Sequence, residues 1–202
     1  MNYLAHLHIA EHTNTSYIGN LLGDFVKGGV QYLPYDDEIK HGVNLHRAVD
    51  VFTDQHKFVR ELKASLGDYR RYGGIVLDVL FDHQLACNFD KYSKRPLSQF
   101  SKNTYPKLAL EPYINQGVEF PERFHRVVNG MTASDWLIGY REEKNIERAL
   151  HGISMRLKRP VDLTQVMPWY QNHQSLFEQG FEPFYRSLLL KAESFNSGLS
   201  KA

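Results

Sequence analysis

One stretch, Gly74–Ala86, constrains the fold more than any other part of the sequence. Wrapped as an α-helix it is apolar on nearly every side, and a helix of that kind belongs at the centre of a bundle. It nevertheless carries Asp78 and Asp82 four residues apart on one face, with His83 beside them. A buried carboxylate must be paired, neutralised or bound to a cation. The stretch therefore predicts a buried helix with a polar site in the core.

The rest of the chain has the pattern of a helical protein. Apolar residues recur at three- and four-residue spacing almost throughout, and no run alternates strictly between apolar and polar side chains. The predicted helices lie at about 2–12, 16–27, 36–66, 75–92, 96–110, 121–135, 141–158 and 167–195, with 111–120 predicted as a loop. We therefore expect an all-α fold, a compact single-domain bundle of about seven to eight helices over residues 1–202.

Composition excludes several classes of protein. With 42% hydrophobic and 23% charged residues the chain is of the globular type, and no apolar run approaches the roughly 18 residues of a transmembrane helix. A net charge of +1 favours neither nucleic acid nor a membrane as a partner. The single cysteine, Cys87, fits a reducing compartment, and the first residues lack the basic region of a secretory signal. These features predict a soluble cytoplasmic protein.

A second polar group lies on the long helix predicted at 36–66. His46, Asp50 and Asp54 are spaced i, i+4, i+8, so they form a ridge that we expect to face inward. Imidazole and carboxylate together suit Mn, Fe, Zn or Mg. On spacing alone, a solvated polar face or a core histidine bonded to aspartate is about as well supported as a metal site. The same holds for Asp78 and Asp82, which could instead pair with arginines of neighbouring helices.

Weaker signals accompany these two groups. Asp24 lies amid apolar residues near a glycine-rich helix end. His6 and His8 are two residues apart on one helix and face different sides, so at most one of them enters the site. The sequence contains no Walker A motif, dinucleotide-binding glycine motif, zinc-protease motif or nucleophile elbow.

Taken together, these segments resemble the acyl carrier protein phosphodiesterase family. The resemblance runs in order along nearly the whole chain, through the stretches at 1–8, 19–26, 45–54, 77–83, 155–160 and 169–170. It implies removal of the 4′-phosphopantetheine arm from holo-acyl carrier protein, with Mn²⁺ as the preferred cofactor and Mg²⁺ or Fe²⁺ as other possible ions. The chain is also similar to HD phosphohydrolases, an all-α group with His/Asp metal sites, although Asp82-His83 reverses the order of their His-Asp doublet.

The resemblance suggests roles for the polar residues. The predicted metal ligands or bridging carboxylates are Asp24, His46, Asp78 and Asp82. His83, Asp50 and His6 are predicted to orient the ligands or to protonate the leaving serine. Arg156, Lys158 and Arg159, at a predicted helix end, are expected to bind the acidic carrier protein or its phosphate.

Two other functions remain open on the sequence. The same metal site could serve an HD-like phosphohydrolase that acts on a nucleotide or another small phosphate ester. A non-catalytic helical module that binds acidic partners, with buried Asp-Arg pairs in place of a metal, is the second alternative. The metal content of the purified protein separates the second alternative from either enzyme.

Overall fold

The computed structural model describes residues 1–199, so the last three residues of the predicted domain lie outside the described part. No strand occurs within that range, and the predicted all-α fold is confirmed. The α-helices, in chain order, are α1 (Tyr3–Thr13), α2 (Tyr17–Leu22), α3 (Asp37–Gln55), α4 (Lys57–Ser65), α5 (Gly73–Cys87), α6 (Leu97–Thr104), α7 (Glu111–Ile114), α8 (Glu122–Ser134), α9 (Trp136–Gly139), α10 (Glu143–Ser154), α11 (Met167–Asn172) and α12 (Gln174–Leu199). Short 3₁₀ segments lie at Val30–Tyr32, Gly67–Tyr72, Phe89–Lys91, Tyr105–Leu108 and Leu163–Val166.

The helix α5 lies at the centre, as its apolar sequence predicts. It packs against α1, α4, α10 and α12. Its Phe81 is fully buried and its ring contacts those of Phe177, Phe181 and Phe184 on α12, at centroid distances of 6.0, 5.6 and 5.3 Å. Aromatic pairs of this kind add stabilisation beyond the area that they bury. None of the helices within the described range is long and apolar enough to cross a bilayer.

Two predicted helices are interrupted by a histidine. The helix predicted at 36–66 divides at His56, whose extended backbone (φ −66°, ψ 135°) ends α3 and begins α4. The change of direction allows Val59 and Leu62 on α4 to be buried. The helix predicted at 167–195 divides at His173, whose Nδ1 lies 2.7 Å from the carbonyl oxygen of Trp169. The structure therefore has more and shorter helices than predicted.

Three other predicted element boundaries differ from those in the structure. The short helix predicted at 16–27 ends at Leu22, so Asp24 lies in a turn. The stretch predicted as a loop at 111–120 begins with α7, whose first turn contains Pro112, a residue suited to that position. The helix predicted at 141–158 ends at Ser154, because the Ser154 hydroxyl accepts a hydrogen bond from the Leu163 amide and holds the returning chain against the helix end.

The packing of α2 on α3 is unusually close. A Cβ on Gly19 would overlap the carbonyl oxygen of Ile39 and lie 2.9 Å from the Cα of Gly42. Only glycine at both positions allows the two backbones to approach in this way. This contact brings the turn after α2, and with it Asp24, next to the polar face of α3.

Candidate metal centre

A compact cluster of potential metal ligands joins α1 to α3. One ligand atom from each of His6, His46 and Asp50 can be chosen so that all lie within 4.8 Å of one another. His46 Nε2 lies 3.1 Å from Asp50 Oδ2, and His6 Nε2 lies 3.3 Å from Asp50 Oδ1. Both histidines are buried, whereas the Asp50 side chain is 38% exposed and leaves the cluster accessible from one side.

The position of His46 depends on its neighbours. Its Nδ1 lies 2.7 Å from the carbonyl oxygen of Asn20, which is an acceptor only, so Nδ1 donates and Nε2 faces the carboxylates. A Cβ on Gly23 would overlap the imidazole ring, so glycine is needed there to make room for it. The backbone of α2 and the turn after it thereby fix the orientation of His46, which is how metal-binding histidines are commonly held.

Asp24 adds a second carboxylate at the open edge of the cluster. Its Oδ1 lies 3.4 Å from His46 Nε2, and its side chain is 46% exposed. The pKa of Asp24 is lowered although burial opposes the change, because His46 donates to it and carries positive charge. Asp24 is therefore an ionised group at the entrance.

The electrostatics of the cluster are strongly coupled. Burial opposes ionisation of His46, yet its contacts with Asp24 and Asp50 raise its pKa to about 9. Burial and the neighbouring charge of His46 lower the pKa of His6 to about 4. For Asp50, burial is outweighed by the two histidines and the α-amino group of Met1, which hold its pKa well below the usual range. In the absence of a cation, His46 thus carries the proton that the carboxylates attract.

Asp78 lies beside the cluster with an amine between it and Asp50. The α-amino group of Met1 donates to Asp78 Oδ1 at 2.8 Å and to Asp50 Oδ1 at 3.3 Å. Burial alone would lower the pKa of this amine, but the two carboxylates raise it to about 11. Asp78 thus pairs with an amine and not with the arginine that the sequence offered as an alternative partner.

Asp82 and His83 bind backbone groups of neighbouring segments. Asp82 is fully buried and accepts hydrogen bonds from the backbone amides of Leu4 at 2.7 Å and Ala5 at 3.1 Å. It therefore binds the first turn of α1, where the helix carries unpaired amides and positive potential. His83 Nδ1 donates to the carbonyl oxygen of Tyr140 at 2.7 Å. Both residues anchor the framework around α1 and α5.

Asp54 and His8, two further polar residues of α3 and α1, lie outside the cluster. Asp54, the last residue of the predicted ridge, is 66% exposed and pairs with Lys63 at 2.6 Å, so it is not part of the cluster. Of the two histidines on α1, His6 joins the cluster, whereas His8 Nδ1 lies 2.8 Å from the Tyr185 hydroxyl in the core. Of the two histidines, the structure groups His6 with the potential ligands.

The predicted basic residues lie in the turn that follows α10. Arg156, Lys158 and Arg159 are all exposed. The positive charge of Arg156 acts on the hydroxyl of Tyr3, a residue of the first turn of α1, and lowers its pKa against the effect of burial.

The cluster fits a divalent cation on its own chemistry. Within residues 1–199, both ring nitrogens of His6 are buried and neither forms a hydrogen bond, although Nε2 lies 3.3 Å from Asp50. A buried polar atom without a partner is costly and calls for an explanation such as a bound ion. Two imidazoles and two carboxylates in one cluster form a donor set suited to Mn²⁺, Fe²⁺ or Zn²⁺. The Asn20 contact leaves the Nε2 atom of His46 available for such a bond.

Comparison with known proteins identifies relatives along almost the whole chain. A family model described as acyl carrier protein phosphodiesterase matches residues 1–188. The acyl carrier protein phosphodiesterase of Yersinia enterocolitica is 35% identical over 195 residues, covering 96% of this chain and 98% of the relative. The protein of that name from Photorhabdus laumondii is 32% identical over 199 residues, covering 96% of each. No solved structure matches the chain, so its similarity to HD phosphohydrolases stays a prediction.

The helical fold and the family-model match together define the class of this chain: it is an all-α protein of a phosphodiesterase family. The chain belongs to the acyl carrier protein phosphodiesterase family.

Proposed function

We propose that this chain is a cytoplasmic, metal-dependent hydrolase that removes 4′-phosphopantetheine from holo-acyl carrier protein and yields the apo form. The family match over residues 1–188 supports the substrate, because relatives at 32–35% identity carry that name. The observation that carries the metal dependence is the buried His6, whose ring nitrogens have no hydrogen-bond partner beside His46 and Asp50. Mn²⁺ is the proposed ion, with Mg²⁺ or Fe²⁺ as substitutes.

We assign the ligand set from geometry. His6, His46 and Asp50 would hold the cation, and Asp24 would complete the set at the open edge. This assignment moves His6 and Asp50 from the helper roles predicted for them to ligand roles. Asp78 would act through the Met1 amine on Asp50, while Asp82 and His83 would hold α1 and the α5 region in place.

The chain's own residues prepare this site for hydrolysis. A divalent cation supplies Lewis-acid chemistry, which polarises a phosphoryl oxygen and makes water more acidic. Asn20 keeps His46 in one tautomer and orientation, and the hydrogen bonds from Leu4 and Ala5 to Asp82 fix the start of α1, which carries His6 one turn further on. The exposed edges of Asp24 and Asp50 mark the side from which a phosphodiester reaches the cluster.

The test is the mass of the carrier protein. Purified protein is incubated with holo-acyl carrier protein and Mn²⁺, with a chelator in a parallel sample. We expect the carrier to lose the mass of the phosphopantetheine group only in the sample with available metal. An unchanged carrier mass, with Mn²⁺ shown to be bound, would contradict the proposed substrate, and a panel of nucleotides and small phosphate esters would then be the next substrates to test.

A further inference from the structure

An arginine that the sequence patterns do not single out contacts the residue that follows Asp24. The guanidinium carbon of Arg123, on α8, lies 5.4 Å from the centre of the Phe25 ring. Phe25 directly follows Asp24, whose carboxylate lies 3.4 Å from His46. The Phe25 ring is itself held edge-on against Phe124 at 5.2 Å. Aromatic packing thus holds a guanidinium against the turn that carries Asp24.

This guanidinium is available for a ligand. Arg123 is exposed, and within residues 1–199 it packs over the Phe25 ring and forms neither a hydrogen bond nor an ion pair. Arg126, three residues further along the same helix, lies 3.7 Å from Glu122. An arginine that is oriented by an aromatic ring while its N–H groups remain free has the form of an anion-binding group.

Tyr3 is the second candidate donor, because the charges of Asp24, Arg123 and Arg156 all act on its hydroxyl. Its ring stacks on Trp136 with centroids 6.3 Å apart, and in the described part of the chain its hydroxyl forms no hydrogen bond. Burial and the charge of Asp24 raise the pKa of Tyr3 to about 12, while the positive charges of Arg123 and Arg156 oppose the increase. The hydroxyl therefore keeps its proton at neutral pH and lies within the field of both arginines.

We propose that Arg123, Tyr3 and Arg156 form an anion subsite that binds the non-bridging oxygens of the substrate's phosphodiester beside the metal centre. Guanidinium groups match phosphate oxygens with two parallel hydrogen bonds, and a phenol adds a third donor. The three donors belong to α8, α1 and the turn after α10, so the subsite exists only in the folded protein. This inference rests on the proposed function only for the claim that the bound anion is the substrate's phosphodiester. The existence of the subsite does not depend on that function.

The test uses inorganic phosphate as the probe, in buffer with Mg²⁺, and follows binding by calorimetry. Arg123→Gln is expected to weaken phosphate binding at least tenfold, and Tyr3→Phe, which keeps the ring stacked on Trp136, to weaken it severalfold. Arg126→Gln, on the same helix but paired with Glu122, is the matched control and should bind phosphate like the wild type. Thermal melting of each variant confirms that it is folded.

Two results would overturn the subsite: no phosphate binding by the wild type, or equal affinity in Arg123→Gln and the wild type. The carrier assay separates this failure from failure of the proposed function. If the wild type hydrolyses holo-acyl carrier protein and Arg123→Gln does so with unchanged KM and kcat, the subsite is wrong and the function stands. If phosphate binding depends on Arg123 but the carrier is not hydrolysed, the subsite stands and the function is wrong.

Discussion

The imidazole rings of His6 and His46 stack with their centroids 3.8 Å apart and their planes 19° from parallel. Two imidazolium ions at that distance in a buried site would repel each other strongly. The pKa values of about 4 for His6 and about 9 for His46 show how the cation-free site avoids this, because only His46 keeps a proton at neutral pH. The pair has one place for positive charge, which a proton or a metal ion can fill.

Metal binding should therefore release a proton. The Nε2 atom of His46, whose pKa is raised to about 9, must lose its proton to coordinate a cation. We expect about one proton to be released per Mn²⁺ bound at pH 7, and the apparent affinity to rise by about tenfold per pH unit between pH 7 and 9. Calorimetry in buffers with different ionisation enthalpies measures the release. A binding enthalpy that does not change with the buffer would contradict the coupling between proton and metal.

Gly23 should be required for the metal centre. Its replacement by alanine places a methyl group where the His46 ring lies, so the ring must move away from Asp50. A displacement of about 1 Å near reacting groups can reduce a rate by about 100-fold, and we expect a loss of that order in carrier hydrolysis. Gly152→Ala, on α10, is the control because nothing lies within 4 Å of its added methyl group. Full activity in Gly23→Ala would show that the ring position is not critical.

Asp82 should contribute to stability more than to metal binding. Asp82→Ala leaves the amides of Leu4 and Ala5 buried without an acceptor, and each such donor costs about 1–3 kcal/mol. We expect the free energy of unfolding to fall by about 2–4 kcal/mol, with Asp82→Asn, which keeps one acceptor, losing less. Urea denaturation of the metal-free protein measures both. A variant that loses metal affinity while keeping its stability would instead make Asp82 a ligand, as its sequence suggests.

Recognition of an acidic carrier protein should depend on ionic strength. Arg156, Lys158 and Arg159 are exposed in one turn, and interactions between exposed charges are screened as salt is added. We expect hydrolysis of holo-acyl carrier protein to slow steeply between low and moderate salt, mainly through KM, while hydrolysis of a small diester changes little. Lys158→Gln should flatten the salt dependence with the carrier. Equal salt dependence for both substrates would exclude this turn as the docking surface.

The helical fold and its central helix could be predicted because apolar spacing reports directly which faces are buried. The divisions at His56 and His173 could not, since the residues on either side are good helix formers in sequence. At His56 the extended backbone redirects the chain, and Val59 and Leu62 beyond it are buried. At His173 the backbone amide bonds the carbonyl oxygen of Tyr170, and the ring Nδ1 lies 2.7 Å from that of Trp169.

Only part of the candidate site could be predicted from the sequence, because several of its contacts depend on how the helices pack. The i, i+4 spacing of His46 and Asp50 indicates one ligand pair, because both residues belong to one helix. The role of Asp82 is hidden because its partners are backbone amides, which look the same in every sequence. The contact of Arg123 with Phe25, the residue after Asp24, depends on how α8 packs, and no spacing along the chain reports it.

The most direct test of the account is to measure bound Mn²⁺ and carrier turnover in the same samples of wild type, His6→Ala and Asp54→Asn. Asp54 is the matched control, since it is an aspartate on the same helix as His46 that pairs with Lys63 outside the cluster. We predict that Asp54→Asn binds Mn²⁺ and converts holo-acyl carrier protein like the wild type, whereas His6→Ala loses both together. If His6→Ala retains stoichiometric Mn²⁺ and full turnover, the cation that supports hydrolysis is not held by the His6–His46–Asp50 cluster.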